Sequence, residues 1–554
     1  MKKSFIWAFV ALAFAACTNP DMNGNDAPVH SGEIETSYIA INLSASDITR
    51  AQTGYDDGTD AERAVKHADF FFFDGEGNAF NVTGNPATAP GGGVNHLHVA
   101  NINFSADGNN GDDISDSSKP VLLLKTYKGE YPSQIVAVLN WSPDTKAYSL
   151  QELKDAVVGL YGTADATNHF IMSNAVYAQG TTEVYATPLT LDNIQVDEEK
   201  AAEHPVTIYV ERVAAKVTVN FNEGAKYDLG KEVDYTPLSS STTIKGGAYA
   251  KILGWDLYRD NTQSKLLKNI DADWTTDEIG FSWNEAPWYR SFWAASLDAP
   301  TNDAVYGTSP FAVNATTYIG ENTTGKNTNT KVVIKAQLVN GAGNPLEIAV
   351  WNNVEYIDEV NNESERAKSV RIAVANTLKN TYYSKDGNNY ASIAPEDLQC
   401  VAGGGEGAPA DVKANEVYFQ LSDAGVAKDW YKLVNGEYVP VANNANDDPN
   451  STNAMNAALK SVPSAVLYTK GETFYYVDIK HLGAEKSVAE FGIVRNHAYN
   501  ITINSIKGYG SPVYIGNAFL EYPDTPEQNT YVSAKINILS WRLVDQEIDI
   551  KPGN

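Results

Sequence analysis

Two histidines, His96 and His98 in the stretch NHLHV, are the first side chains in this 554-residue sequence whose spacing suggests chemistry. Residues i and i+2 of a strand point to one side, so both imidazoles can turn toward a single cation. Two ligands are not a site, and ordinary cross-strand packing is the reading adopted: no metal and no cofactor is expected. Arg495, His497 and Tyr499 in RNHAYNI are acid–base groups, yet they lead into an alternating strand and lack a paired carboxylate or nucleophile at a diagnostic spacing. A structural turn is the expectation there. The acidic loop DGNNGDDISDSS lacks the central Gly and terminal Glu of an EF-hand, which leaves incidental calcium binding open. The chain contains neither a P-loop nor G-x-S-x-G, and the glycines of APGGGVN are not followed by the helix that a phosphate cradle needs. Trp255, Trp274, Trp283, Trp288 and Trp293 are dense enough for a sugar-stacking platform, or for the core of a β-domain. Cys400 has no evident partner base and reads as a packed or loop thiol. Nothing converges on catalysis, and the protein is not expected to be an enzyme.

The remaining reactive feature is a peptide bond. In SYIAINLSAS, residues Ile39, Ile41, Leu43 and Ala45 alternate with Tyr38, Ala40, Asn42 and Ser44, the period of a strand with one buried face. The strand stops at Arg50, which opens into the polar, acidic loop AQTGYDDGTDAERA. A basic residue between a complete strand and a flexible loop is where a protease can grip the chain. Arg50 is therefore read as a cut site, with Ala51 as the new N-terminus and residues 38–45 as a removable strand. Arg63 is equally cleavable by chemistry alone.

The elements that must position these features are mostly strands. Residues are 43% hydrophobic, 11% aromatic and 20% charged, the balance of a folded protein. Val, Ile, Thr and Tyr runs such as ADFFFFDGEG, PVLLLKTY, QIVAVLNW and PVTIYVERVAAKVTVNF, separated by Gly, Asn and Asp clusters, argue for β-sandwiches. SLQELKDAVVGL, with its leading Ser149, reads as a short helix. The net charge of −28 opposes binding to nucleic acid or an anionic membrane surface.

Each end of the chain has a distinct character. MKKSFIWAFVALAFAAC has a basic start, a short apolar run and small residues before Cys17. This reads as a lipoprotein signal, or as an ordinary secretory signal with a chance cysteine. With Cys17 lipidated, Cys400 alone remains and no intrachain disulfide can form. At the other end, TYVSAKINILSWRLVDQEIDIKPGN places Ile536 and Ile538 on one face, Trp541 and Leu543 on the other, and Ile548 and Ile550 as a third pair. A long apolar strand at a free terminus can be donated to another chain. The expected organisation is residues 1–17 signal and lipobox, 18–50 propeptide, 51–212 and 213–530 two β-sandwich domains, and 531–554 a C-terminal donor strand.

Taken in order, Cys17, the strand before Arg50, ADFFFFDGEG, IVAVLNW, ERVAAKVTV, GWDLYRDN, RSFWAAS, YIGENT, VRNHAYNITINSIKGYGSP and ILSWRLVDQEIDI resemble the Bacteroidetes fimbrillins. The resemblance is to the major shaft subunits of the minor, or short, fimbria type. It implies two transthyretin-like β-sandwich domains and a type V pilin route. The precursor is lipidated (palmitate) at Cys17, sits at the outer membrane and is cut after Arg50 by an arginine-specific protease. A neighbour's C-terminal strand then fills the groove by donor-strand exchange. The implied partners are copies of the same subunit, accessory anchor and tip subunits, and host or bacterial surface receptors, with no nucleic acid and no membrane contact beyond the lipid anchor. The implied roles are adhesion, coaggregation and biofilm formation from a cell-surface fimbrium. Two alternatives stand beside this: a monomeric surface lipoprotein that binds glycans, and a tip or accessory fimbrial subunit.

Overall fold

The computed structural model describes residues 34–44, 58–82, 94–100, 120–162, 169–222, 224–238, 240, 242–270, 279, 282–298, 311, 316–360, 367–413, 416–441, 452–512, 531–539 and 545–547. Four successive phenylalanines, Phe70 to Phe73, are each fully buried, which requires a strand covered on both faces. That strand, His67–Phe73, lies in an eight-stranded sheet. The order runs His96–Ala100, His67–Phe73, Gln134–Leu139, Met172–Asn174, Val206–Arg212, Ile34–Ser44 and Val121–Tyr127, with Thr187–Pro188 added to Gln134–Leu139. Phe70 and Phe72 join Ile135, Ala137 and Leu139 in one apolar cluster, while Phe71 and Phe73 join Val136 and Val138 in another on the opposite face. The short helix falls where SLQELKDAVVGL predicts it, over Leu150–Asp155. Ser149 caps it, and the Ser149 hydroxyl and Glu152 carboxylate satisfy each other's backbone N–H groups.

A second pair of sheets shares a single core. One is ordered Thr316–Ile319, Ala215–Asn220, Ala498–Lys507, Tyr531–Leu539 and Asp545–Glu547; the other Lys226–Tyr235, Ile244–Tyr258, Lys331–Asn340, Glu472–Asp478 and Ser511–Pro512. Val217, Val219, Ile501 and Ile503 from the first meet Trp255, Ile334, Ala336 and Leu338 from the second in one buried cluster, a β-sandwich. The alternation of Ala215, Val217 and Val219 inward with Lys216, Thr218 and Asn220 outward is the period-two pattern in its plainest form.

Two features depart from a division at residue 212. Leu266, Leu267, Ile270, Trp283, Trp293 and Ala294 pack into the cluster that covers the N-terminal sheet, and Gln263–Lys265 pairs with Val157–Gly159. The chain thus returns to its first unit after starting the second. A third core also exists. Between the neighbouring strands Lys331–Asn340 and Glu472–Asp478 the chain builds a five-stranded sheet, a four-stranded sheet and the helices Lys368–Leu378 and Thr452–Leu459 around Val370, Val374, Phe419, Trp430 and Met455. The helix Thr452–Leu459 begins at the end of the polar stretch NNANDDPNSTNA. Sequence periodicity sees strands but not which of them share a core, so this inserted unit was not anticipated. Among the described residues no helix is long and apolar enough to cross a membrane.

Candidate functional site

The expected removable strand is an interior member of the N-terminal sheet. Residues Ile34 to Ala40 pair antiparallel with Val121–Tyr127, from Ile34 opposite Tyr127 to Ala40 opposite Val121. Residues Ile41 to Ser44 then pair in parallel with Val206 to Tyr209 on the other side. Tyr38 adds a reciprocal backbone pair with Gln195, at 2.7 and 2.9 Å. Ile39 and Ile41 are fully buried, in one cluster with Leu122, Leu124, Val206 and Ile208. The helix Glu198–Glu203 lies beside the strand. Among the described residues Val121–Tyr127 has no other partner strand in the sheet, so without residues 34–44 it and Val206–Arg212 would flank an open cleft with unpaired backbone on both rims. The Leu43 side chain, Ala45, Cys17, Arg50 and Ala51 lie outside the described residues.

The chain that follows is tied down quickly. Thr59 caps the helix Asp60–Arg63, and its backbone N–H donates to Glu62 Oε2 at 2.6 Å. Glu62 is buried and also meets Lys216 Nζ at 2.6 Å and the Tyr318 hydroxyl at 2.6 Å, while Arg212 Nε donates to the Glu62 carbonyl at 2.6 Å. Burial alone would raise the Glu62 carboxyl, but the bonds from Lys216, Tyr318 and Thr59 more than offset it and hold the group at about 2. Arg63 therefore sits in a capped helix pinned at its neighbour, a poor grip for a protease that sequence alone did not reveal.

At the other end, Tyr531–Leu539 pairs antiparallel with Ala498–Lys507, with Ile536 opposite Ile501 and Ile538 opposite Tyr499. Asp545–Glu547 folds back onto it. In the monomer the terminal strand thus completes its own chain's sheet, rather than forming the free extension that the sequence suggested. Trp541, Leu543, Ile548 and Ile550 lie outside the described residues.

These terminal elements fall within a recognised family region. Residues 466–547 match the family model described as major fimbrial subunit protein type IV, fimbrillin, C-terminal. This C-terminal segment carries a fimbrillin signature. No curated protein matches the chain. Among solved structures this chain is similar to a fimbrillin from Porphyromonas gingivalis, at 13% identity over 92% of this chain and 98% of that one, TM-score 0.35. It is similar to a candidate cell adhesion protein from Bacteroides eggerthii, at 11% identity over 93% and 98%, TM-score 0.36. It is also similar to the C-terminally truncated tip fimbrial protein of Porphyromonas gingivalis, at 13% identity over 91% and 99%, TM-score 0.26.

The other sequence candidates resolve in different ways. Trp255, Trp283 and Trp293 are core, Trp288 is exposed, and Trp274 lies outside the described residues, so the described tryptophans form no platform. Half-buried and exposed rings gather elsewhere, on the inserted unit's four-stranded sheet. There Tyr390 stacks on Tyr438 at 3.8 Å, with Tyr431 and Tyr383 edge-on. The paired hairpin stretches KDGNNY and VNGEY were the available signal. Cys400 is half-buried in the strand Leu398–Ala402, against the insert's core.

The RNHAYNI segment is the expected turn, with Asn496 at φ 56°, but it is welded into a buried polar network. His481 Nε2 lies 2.6 Å from the Phe292 carbonyl and must donate to it, so His481 Nδ1 accepts from the Tyr499 hydroxyl at 2.8 Å. That hydroxyl accepts from the Val494 N–H at 2.9 Å. The arrangement needs a neutral imidazole, and burial pushes His481 down to about 4. Burial also carries His497 well below its usual range. A histidine depressed in the folded state binds fewer protons there than when unfolded. Its contribution is therefore complete above about pH 6.5 and is lost as pH falls from 6.5 toward 4. The span corresponds to about 3 kcal/mol for His481. Urea unfolding at pH 7.5 and 4.5 should show this loss in the native chain and a smaller one in His481→Gln. Equal losses in both would refute the assignment.

Proposed function

We propose that this protein is a fimbrillin-type shaft subunit whose precursor keeps its own assembly groove closed with residues 34–44. Cleavage after Arg50 opens the groove to the C-terminal strand of a neighbouring copy. The observation that carries this reading is the position of Ile34–Ser44, hydrogen-bonded to a strand on each side and burying Ile39 and Ile41. While covalently attached, such a strand has an effective concentration on the order of millimolar at its groove, so an outside donor competes poorly. A cut at Arg50 removes that advantage, and dissociation leaves two unpaired edges that a β-strand can satisfy. The docked Asp60–Arg63 helix favours Arg50 over Arg63 and keeps the rest of the sheet anchored after the cut.

Pairing of Tyr531–Leu539 with Ala498–Lys507 supports a donor that is stored in the monomer and released on assembly. The donor anchors are drawn from Ile536, Ile538, Trp541, Leu543, Ile548 and Ile550. In this scheme Cys17 carries the lipid that holds the precursor at the outer membrane, an arginine-specific protease matures it, and accessory anchor and tip subunits complete a fimbrium that serves adhesion, coaggregation and biofilm formation.

The test is limited trypsin treatment of the precursor, followed by N-terminal sequencing and electron microscopy. A start at Ala51 with filaments is expected, and Arg50→Ala should remain monomeric under the same treatment. Filaments from Arg50→Ala would overturn the cleavage step. Truncation after Asn529 should abolish filaments, while truncation after Leu539 separates the two halves of the tail as donor. Filaments from the shorter chain would overturn the donor assignment.

A further inference from the structure

We propose that His67, Asp69 and His98 form a binding site for a divalent transition-metal ion, Zn2+ by preference, with His96 positioning the carboxylate. The strands His67–Phe73 and His96–Ala100 pair antiparallel with Asp69 directly opposite His98. Residues 67 and 69 point to the same side of their strand, as do 96 and 98 of theirs, so the pairing brings three imidazoles around one carboxylate. His98 Nδ1 lies 3.2 Å from both Asp69 oxygens, and His67 Nδ1 lies 3.6 Å from Oδ2. One ligand atom from each of His67, Asp69 and His98 falls within 4.8 Å of the others. Around a tetrahedral Zn2+ with bonds of about 2.0–2.2 Å, neighbouring ligand atoms stand about 3.3–3.5 Å apart, so the separations to Asp69 already suit the ion.

Packing alone explains these groups poorly. Asp69 is buried, and a buried carboxylate needs compensating charge. Among the described residues its ion pairs are with His67, His96 and His98. One imidazolium would balance it, and more would leave buried positive charge in excess. His67 Nδ1 and both ring nitrogens of His96 are buried without a hydrogen-bond partner, an unusual state for polar atoms. A divalent cation takes the Nδ1 lone pairs of His67 and His98 and the charge of Asp69 together. His96 Nδ1, 3.4 Å from the other oxygen Oδ1, is placed to donate to it and fix the carboxylate's orientation. His96 is itself held by stacking on Phe71 at 4.9 Å. The His98 side chain is 53% exposed, which gives the ion an entry path and leaves a fourth position for water.

Among the described residues His96–Ala100 is the outermost strand of the sheet, at the edge remote from Ile34–Ser44, and its partner there is His67–Phe73. The ion would clip that edge to the strand beside it, in a chain whose two cysteines offer no cross-strand bond.

The test titrates Zn2+ into the full-length, untagged chain against a competing metal indicator, with thermal unfolding in parallel and Co2+ as a spectroscopic substitute. The native chain should bind one ion at micromolar or tighter affinity, unfold at a higher temperature with Zn2+, and give the intense visible bands of four-coordinate Co2+. Removing an exposed ligand leaves the fold intact, so His98→Gln should lose at least tenfold in affinity together with the thermal shift. His96→Gln should lose on the order of tenfold, the usual cost of an outer-shell partner. The exposed His204→Gln should lose nothing. Equal affinity in His98→Gln and the native chain, or no binding by the native chain at micromolar Zn2+, overturns the proposal.

Discussion

A chain carrying Ile39→Ala and Ile41→Ala should open its N-terminal groove without being cut. Each isoleucine is fully buried, and truncating a buried isoleucine to alanine costs about 2–5 kcal/mol, so the pair should cost on the order of 4–10 kcal/mol. The loss falls on the contact that keeps Ile34–Ser44 seated between Val121–Tyr127 and Val206–Arg212. Hydrogen exchange should report it directly: amides of 121–127 and 206–209 lose protection while those of the sandwich strands Lys331–Asn340 keep theirs. If the groove is the acceptor, this double variant should also form filaments without protease. Unchanged protection in 121–127 would refute the structural reading. Lost protection with a strictly monomeric chain would sever groove opening from assembly.

Arg495→Ala should destabilise the chain by about 3–5 kcal/mol in urea unfolding, the usual result of removing one partner from a buried ion pair. Arg495 is fully buried. Its guanidinium donates to Glu321 Oε2 at 2.8 Å, Ser264 Oγ at 3.1 Å, and the Lys265 and Leu266 carbonyls at 2.6 and 3.2 Å. A second buried pair, Lys268 with Glu211 at 2.8 Å, lies on the same returning segment. That segment pairs with Val157–Gly159 of the N-terminal unit, whereas Arg495 precedes a central strand of the sandwich, so the fork joins the two units. Loss of Arg495 strands the Glu321 charge and removes a donor from the Lys265 carbonyl, while the Leu266 carbonyl keeps the Ser173 hydroxyl at 2.6 Å. Arg495→Ala with Glu321→Ala should cost less than the sum of the single changes, because the second removes the charge that the first leaves unpaired. Additive single costs, or a cost below about 1 kcal/mol for Arg495→Ala, would mean the network does not couple the units.

Several parts of this fold were legible because they depend on neighbours in sequence. The alternation of Ile39 and Ile41, the Ser149 cap, the strand and turn of ADFFFFDGEG, and the turn at Asn496 all follow from periodicity or local backbone chemistry. The Trp residues illustrate the limit. Composition showed their density, but burial of Trp255, Trp283 and Trp293 and exposure of Trp288 depend on contacts with distant strands. The inserted unit was missed for the same reason, since the strands that bracket it, Lys331–Asn340 and Glu472–Asp478, look in sequence like any others.

From sequence alone came the β class, the acidic charge, the basic and apolar leader before Cys17, the alternating strand ahead of Arg50 and the apolar tail, each a matter of residue order along one stretch of chain. Tertiary structure alone decided that Ile34–Ser44 is an interior strand, that Tyr531–Leu539 is paired within its own chain, and that Glu62 pins the helix Asp60–Arg63. It likewise decided that His96 and His98 face Asp69 and His67. Strand pairing is a contact between residues far apart in sequence, set by which register buries the most apolar surface while satisfying the backbone, and no local pattern encodes that choice.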